Sequence, residues 1–109
     1  MTGGPPDEPR AHRAVEFHPE AEAELEHAAA FYEERTEGLG EGFLAAAEEA
    51  VQRAVEWPSA GTPLEAGRRR VYLRRFPYAV VYRILTNGRI RVLAVADLRR
   101  RPRYWRGRR

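Results

Sequence analysis

The stretch YAVVYRILTNGRIRVLAVAD, residues 78–97, decides the fold. Apolar runs that contain Val and Ile, residues enriched in β-strands, flank Asn87-Gly88 on both sides. Asn-Gly between two such runs is typical of a two-residue type I′ hairpin turn. The sequence therefore predicts a pair of antiparallel strands at 78–85 and 89–97.

The length of this turn determines which residues of the two strands lie opposite one another. With a two-residue turn, Leu85 faces Ile90 and Tyr78 faces Asp97. One end of the hairpin then brings Tyr78 and Asp97 next to the start of RRRPRYWRGRR, residues 99–109, which we call the tail.

Two further strands are predicted where polar and apolar residues alternate. One is RAVEFHP, residues 13–19, in which Val15 and Phe17 alternate with polar neighbours. The other is RRRVYLRR, residues 68–75. Both have the period of a strand with one buried face.

Residues that alternate along a strand share one face of the sheet. In the strand at 68–75, Arg70, Tyr72 and Arg74 are expected on one face, and Val71 and Leu73 on the core side. The predicted outer face is therefore a basic and aromatic row.

Between the first and second predicted strands the apolar residues follow helical spacing. Pro19 with the acidic residue after it is typical of a helix start. Three glycines at 38–42 interrupt the pattern, which resumes at Phe43 and runs to Val55 before Pro58. Two helices joined by so short a connection are expected to pack as an antiparallel hairpin.

The predicted order is β-α-α-β-β-β, which is an α+β fold with a twisted, mostly antiparallel sheet packed against the helical hairpin. Residues 1–12 are rich in Pro, Gly and charge and are predicted to form a flexible leader. Residues 13–109 are predicted to form a single domain that ends in the basic tail. No apolar stretch reaches the roughly 20 residues of a membrane span, and we expect a cytoplasmic protein.

The charge is divided along the chain. Residues 13–67 contain thirteen glutamates and three arginines, whereas residues 68–109 contain fifteen arginines and one aspartate. All nineteen basic residues of the chain are arginines, and guanidinium groups bind phosphate through a planar fork. The basic half is therefore expected to contact an anionic partner.

Most catalytic constellations are missing from the sequence. There is no cysteine, which excludes disulfides, thiolate metal sites and a cysteine nucleophile. The three histidines lack metal-ligand spacing, and the single serine, Ser59, lies in a loop rich in Pro and Gly. We predict no metal and no cofactor, and the arginine and tyrosine residues are the remaining candidates for function.

Three motifs carry a resemblance to a known family. They are RRFPYAVVYRI at 74–84, IRVLAVAD at 90–97 and RRRPRYW at 99–105. Together with the order of elements, they resemble the RelE/ParE superfamily of toxins from bacterial type II toxin-antitoxin systems. The similarity covers most of the chain, from about Arg13 to Arg106. It implies a toxin that a cognate antitoxin neutralises, and it accounts for the helical hairpin, which a plain basic RNA-binding module would not.

The superfamily implies two alternative targets. RelE-like members cut mRNA on the ribosome, and ParE-like members inhibit DNA gyrase. This chain has Arg70 and Tyr72 where RelE-like enzymes have lysines, Ala79 where they have an arginine, and Asp97 where many have a histidine. Arginine does not act as a base in proteins, so the sequence favours the ParE-like, non-enzymatic alternative slightly.

The ribonuclease alternative implies particular catalytic residues. Tyr104 or Tyr72 would help to activate the ribose 2′-hydroxyl, and Arg74, Arg99 and Arg100 would clamp phosphate. Whichever target is correct, RYWRGRR, residues 103–109 of the tail, is expected to lie beyond the last strand and to carry charge rather than core, so that its removal would spare the fold.

A wider set of residues is predicted to contact the target or nucleic acid through charge or stacking. For Trp105 the alternative is that its ring folds back over the sheet. The set consists of Arg70, Arg74, Arg75, Arg83, Arg99, Arg100, Arg101, Trp105 and Arg106.

Overall fold

A computed structural model describes residues 15–109, so the predicted leader at 1–12 lies outside the described residues. No helix in this part of the chain is long and apolar enough to cross a membrane. The elements are β1 (Val15–Phe17), α1 (Pro19–Arg35), α2 (Leu39–Glu56), β2 (Thr62–Pro63), β3 (Arg68–Tyr72), β4 (Tyr78–Ile84) and β5 (Ile90–Asp97).

The five strands form one sheet in the order β1-β5-β4-β3-β2. β1 runs parallel to β5, and the other neighbouring strands are antiparallel. The two helices form a hairpin that packs against one face of the sheet, which we call the helix face; the opposite face is the tail face. The predicted α+β fold is confirmed, and the short edge strand β2 is an addition to it.

The turn between β4 and β5 is longer than predicted. The Leu85 N–H donates to the Arg89 carbonyl at 2.8 Å and the Gly88 N–H donates to the Leu85 carbonyl at 2.8 Å, which closes a three-residue loop. A type I′ turn needs positive φ at both Asn and Gly, but only Gly88 has it, at 85°. The predicted pairing of Leu85 with Ile90 is therefore wrong.

The three-residue turn shifts the strand register by one residue from the predicted one, and a β-bulge at Leu93 restores the predicted register. Tyr82 pairs with Val92, whereas Val81 pairs with Ala94, which leaves Leu93 as the extra residue. Beyond the bulge the register is the predicted one. At the far end of the hairpin, Tyr78 faces Asp97 as expected.

The bulge also decides which side chains of β5 face which layer. Val92 and Val95 both lie in the cluster between the helices and the sheet, although three positions separate them. Ala94 and Ala96 lie on the tail face. The sheet thus has an apolar cluster on each side.

The two helices meet at a glycine. α2 begins at Leu39, earlier than predicted, and therefore includes Gly40 and Gly42. A Cβ atom at Gly40 would lie 2.6 Å from the carbonyl oxygen of Ala29 on α1, so only glycine fits this close approach. The Glu33 carboxylate accepts the N–H groups of Gly38 and Gly40 at 3.0 and 2.9 Å, and these bonds lower its pKa.

Candidate target-binding surface

The tail forms part of the core on the tail face. Trp105 is only 5% exposed and packs with Val81, Ala94 and Ala96, while Tyr104 is partly buried beside it. The expectation that the tail carries charge rather than core is wrong. The reason is that the small alanines of β5 leave room on this face for an indole ring.

Arginine side chains hold the end of the tail in place. Nη2 of Arg68 on β3 donates to the carbonyls of Arg106 and Arg108 at 2.9 and 2.6 Å. Arg108 in turn pairs with Glu20 and Glu24 of α1, both at 2.9 Å. Sequence reasoning missed the roles of Arg68 and Arg108 because arginines in a charged run are usually solvated.

Glu24 also accepts a hydrogen bond from the backbone of the sheet. Its Oε1 accepts the backbone N–H of Val95 at 2.9 Å, and Arg108 Nη1 donates to the Leu93 carbonyl at 3.1 Å. β1 pairs with β5 only up to Val92, so these side chains bond to backbone groups of β5 beyond the end of β1. The α1 helix, the bulged strand and the tail are thereby joined.

The structure brings several predicted site residues together on the tail face. A groove of about 710 Å³ lies between β3, the end of β5 and the tail. Ala79 and Asp97, where the RelE-like pattern differs, also line it. We call it the basic groove, and its predicted site residues are Arg70, Arg100, Arg101, Tyr104, Trp105 and Arg106.

Other predicted site residues lie elsewhere. β3 ends at Tyr72, and Nη1 of Arg74 lies 3.8 Å from Glu49 of α2, so Arg74 does not share a face with Arg70. The strand predicted at 68–75 is too long because the chain turns after Tyr72, with Arg75 at a φ of 72°.

The Asp97 carboxylate forms an ion pair with the Arg99 guanidinium. Arg99 Nε and Nη2 donate to the two carboxylate oxygens at 2.8 and 3.0 Å, and the Arg99 N–H donates to Oδ1 at 2.9 Å. Burial acts to raise the pKa of Asp97, but these hydrogen bonds outweigh it and the pKa is lowered. The Arg99 guanidinium is thus already paired within the chain, whereas Arg100 has no ion pair within residues 15–109 and its guanidinium carbon lies 4.2 Å from the ring centre of Tyr104.

The two tyrosines proposed for ribonuclease chemistry do not share a pocket. Tyr104 lines the basic groove and a second pocket of about 850 Å³ between α1 and the tail. Its hydroxyl is buried without a hydrogen-bond partner among the described residues. Burial, and then the nearby Glu24 carboxylate, raise its pKa to about 12. Tyr72 is 47% exposed and lies beside Arg53 and Trp57.

A comparison with protein families decides the identity of the chain. The model of the ParE toxin of type II toxin-antitoxin systems, parDE, matches residues 15–102. The chain belongs to the ParE toxin family. This ParE-family chain is the toxin component of a type II toxin-antitoxin system, as the sequence motifs predicted, and such a system includes a cognate antitoxin.

A solved structure supports the fold of this ParE-family toxin. The structure, described as the chromosomal ParDE TA system from P. aeruginosa, is similar with a TM-score of 0.67 and 21% sequence identity. The match covers 78% of this chain and 95% of the other. No curated protein sequence matches the chain. Within residues 15–109, no group of three or more His, Cys, Asp or Glu residues is arranged to hold a metal ion.

Proposed function

We propose that this ParE-family toxin inhibits DNA gyrase by binding, without catalysing a reaction, and that the basic groove is its contact surface. Such a target places the toxin in the cytoplasm. The observation that carries the proposal is the state of Tyr104, whose hydroxyl is buried and whose pKa is raised to about 12. A phenol with so high a pKa is a poor proton donor or acceptor at neutral pH.

The neighbours of Tyr104 in the basic groove include no other group suited to proton transfer at neutral pH. Asp97 is held by Arg99, and its lowered pKa makes it a weak base. Arg70 and Arg100 do not exchange protons. The groove instead offers fixed positive charge beside the ring of Tyr104, which suits recognition of an acidic surface.

One observation favours the alternative, ribosome-dependent cleavage of mRNA. His27 of α1 lines the same pocket as Tyr104 and Arg100, and histidine is the commonest general base in enzymes. Under this alternative the pocket between α1 and the tail, rather than the basic groove, would contain the reactive centre.

A paired assay distinguishes the two functions. Gyrase supercoiling and mRNA cleavage on translating ribosomes are measured with wild type, Tyr104→Phe, His27→Ala and the double charge reversal Arg100→Glu/Arg101→Glu. Arg35→Glu, on an exposed part of α1, is the matched charge control. We expect inhibition of supercoiling to survive Tyr104→Phe and His27→Ala within about twofold, because no proton moves.

The double reversal should weaken inhibition tenfold or more, because a like-charged surface repels the same partner. Arg35→Glu should have little effect. Cleavage of mRNA without any effect on gyrase, together with a loss of roughly 100-fold in Tyr104→Phe or His27→Ala, would replace the proposal with the ribonuclease alternative.

A further inference from the structure

A second basic site lies at the end of the tail face nearest the β4–β5 turn. It is a pocket of about 560 Å³, and we call it the arginine pocket. Arg68, Arg83, Arg106 and Arg109 line it, with Glu65 as its one acidic lining residue within the described chain. It is distinct from the basic groove, with which it shares only Arg106.

Arg68 is a buried charge that lacks a counter-charge. It is 8% exposed and has no ion pair to any carboxylate of residues 15–109. One nitrogen bonds to two tail carbonyls, and the Nε is buried without a partner in the same range. A buried guanidinium with an unused donor and no anion is costly. An anion in the pocket would supply the missing charge.

Arg83 adds a second unpaired guanidinium at the same place. In the sheet register it lies directly opposite Arg68 on one side and Arg91 on the other. Like charges at facing positions of neighbouring strands destabilise a sheet. Arg91 is neutralised by Glu16 at 2.7 Å, but Arg83 has no carboxylate partner in the described part of the chain.

The acid in the pocket is already engaged. Glu65 pairs with Arg106 at 2.9 Å and with Arg103 at 3.7 Å. Arg68, Arg83 and the exposed Arg109 are therefore left facing the pocket. A carboxylate offers two oxygens in one plane, whereas a phosphate offers oxygens in several directions and so accepts hydrogen bonds from more than one guanidinium fork.

We propose that the arginine pocket binds a phosphate group, either of a free phosphate compound or of a nucleic-acid backbone. Arg68 and Arg83 form the floor and supply donors, and Arg109 closes the site from the solvent side. The proposal does not depend on gyrase being the target of the toxin.

The test uses the full chain and two probes, inorganic phosphate and a short DNA duplex. Binding is measured by calorimetry at constant ionic strength for wild type, Arg83→Gln and the control Arg35→Gln. We expect Arg83→Gln to weaken the binding of inorganic phosphate about tenfold or more, the scale of a lost charge-assisted hydrogen bond. Arg35→Gln should bind as wild type does.

Thermal melting separates a binding effect from a folding effect. Phosphate should raise the melting temperature of wild type and of Arg35→Gln more than that of Arg83→Gln. Without phosphate, Arg83→Gln should melt no lower than wild type, because the substitution removes a like charge opposite Arg68.

The two probes identify the source of the phosphate. Duplex binding that needs Arg83 and is competed by phosphate indicates a nucleic-acid backbone, and phosphate binding without duplex binding indicates a small phosphate compound. Equal binding of both probes by wild type and Arg83→Gln would overturn the proposal. So would binding of a glutamate-rich peptide, dependent on Arg83, in the absence of any phosphate binding.

Discussion

Trp105 is the residue through which the tail contributes buried apolar surface to the stability of the fold. Because its ring is 5% exposed against Val81, Ala94 and Ala96, Trp105→Ala should leave a cavity on the tail face. We expect a loss of about 3 kcal/mol in the free energy of unfolding, measured by urea denaturation.

Tyr104→Phe is the matched control for this experiment. Its hydroxyl has no hydrogen-bond partner among the described residues, so its removal should change the free energy of unfolding by less than about 1 kcal/mol. A Trp105→Ala variant as stable as wild type would mean that the tail detaches from the sheet in solution.

Asp97 should make stability depend on pH in the acid range. Its folded-state pKa lies below the ordinary value, so its contribution is present above about pH 4 and is lost as the pH falls through the folded pKa. Asp97→Asn should therefore cost about 1 kcal/mol at pH 7, and the difference from wild type should shrink below about pH 4.

Urea denaturation of both proteins between about pH 2 and pH 7 measures this difference. Glu56→Gln, at an exposed position at the end of α2, serves as the control for the loss of a carboxylate that has no ion pair within residues 15–109. A difference between Asp97→Asn and wild type that stays constant down to the lowest pH would contradict the assignment of the pair with Arg99.

At the residue scale, sequence reasoning failed where partners are distant along the chain. Arg68 bonds to carbonyls 38 and 40 positions away, and nothing in the local pattern of β3 distinguishes it from the half-buried Arg69 and Arg70 beside it. Arg70 and Arg100, both predicted to contact the target, line the same groove, because strand alternation and the register at Tyr78 fix both ends of the basic groove.

At the scale of elements, the hairpin shows which features a sequence can specify. Val and Ile content identified β4 and β5, and Asn87-Gly88 identified the turn. The bulge at Leu93 was not predictable, because residues 92–96 are all apolar and carry no alternation that would show a change of face. Because residues 92–96 show no alternation, the apolar cluster on the tail face could not be predicted either, and neither could the position of Trp105 within it.

The helical hairpin provides a matched pair of glycine substitutions. Gly40→Ala should destabilise the protein by about 1 to 3 kcal/mol, because the new Cβ would meet the Ala29 carbonyl at 2.6 Å. Gly42→Ala meets nothing within 4 Å and should stabilise it by about 0.5 to 1 kcal/mol through higher helix propensity.

Thermal and urea unfolding of the two variants check this prediction. The two substitutions should change the free energy of unfolding in opposite directions. Both glycines lie in the first turns of α2, and they differ in that only Gly40 lies close to the backbone of α1. If both variants were stabilised, α1 and α2 would have to pack less closely at Gly40 than the structure indicates.

At the scale of the whole molecule, ion pairs between the acidic and the basic half of the chain neutralise part of the charge of each. Within residues 15–109, glutamates of the N-terminal half pair with six arginines of the C-terminal half. The exposed positive charge is consequently smaller than the composition suggests and is concentrated in the basic groove and the arginine pocket. The pairs are Glu16 with Arg89 and Arg91, Glu49 with Arg74, Glu65 with Arg103 and Arg106, and both Glu20 and Glu24 with Arg108.

The helix face offers a surface of the opposite kind. An apolar groove of about 430 Å³ lies between β1 and the two helices, lined by Phe17, Leu25, Leu44 and Val51. Leu44 is 41% exposed. We expect a cognate antitoxin, encoded beside this toxin, that fills this groove with the apolar side chains of an acidic amphipathic segment and then continues round the edge of the sheet, so that an acidic stretch reaches the basic groove on the opposite face.

The two contacts should respond differently to salt. Leu44→Glu should weaken the toxin-antitoxin complex tenfold or more at every salt concentration, because it places a charge in an apolar contact. Arg100→Glu/Arg101→Glu should weaken it mainly at low salt, where exposed charges are least screened. Ile84→Glu, at a similarly exposed apolar residue outside the groove, is the control for Leu44→Glu. Titration of the purified partners at several salt concentrations tests both effects, and an antitoxin whose affinity is unchanged by Leu44→Glu must bind elsewhere on the toxin.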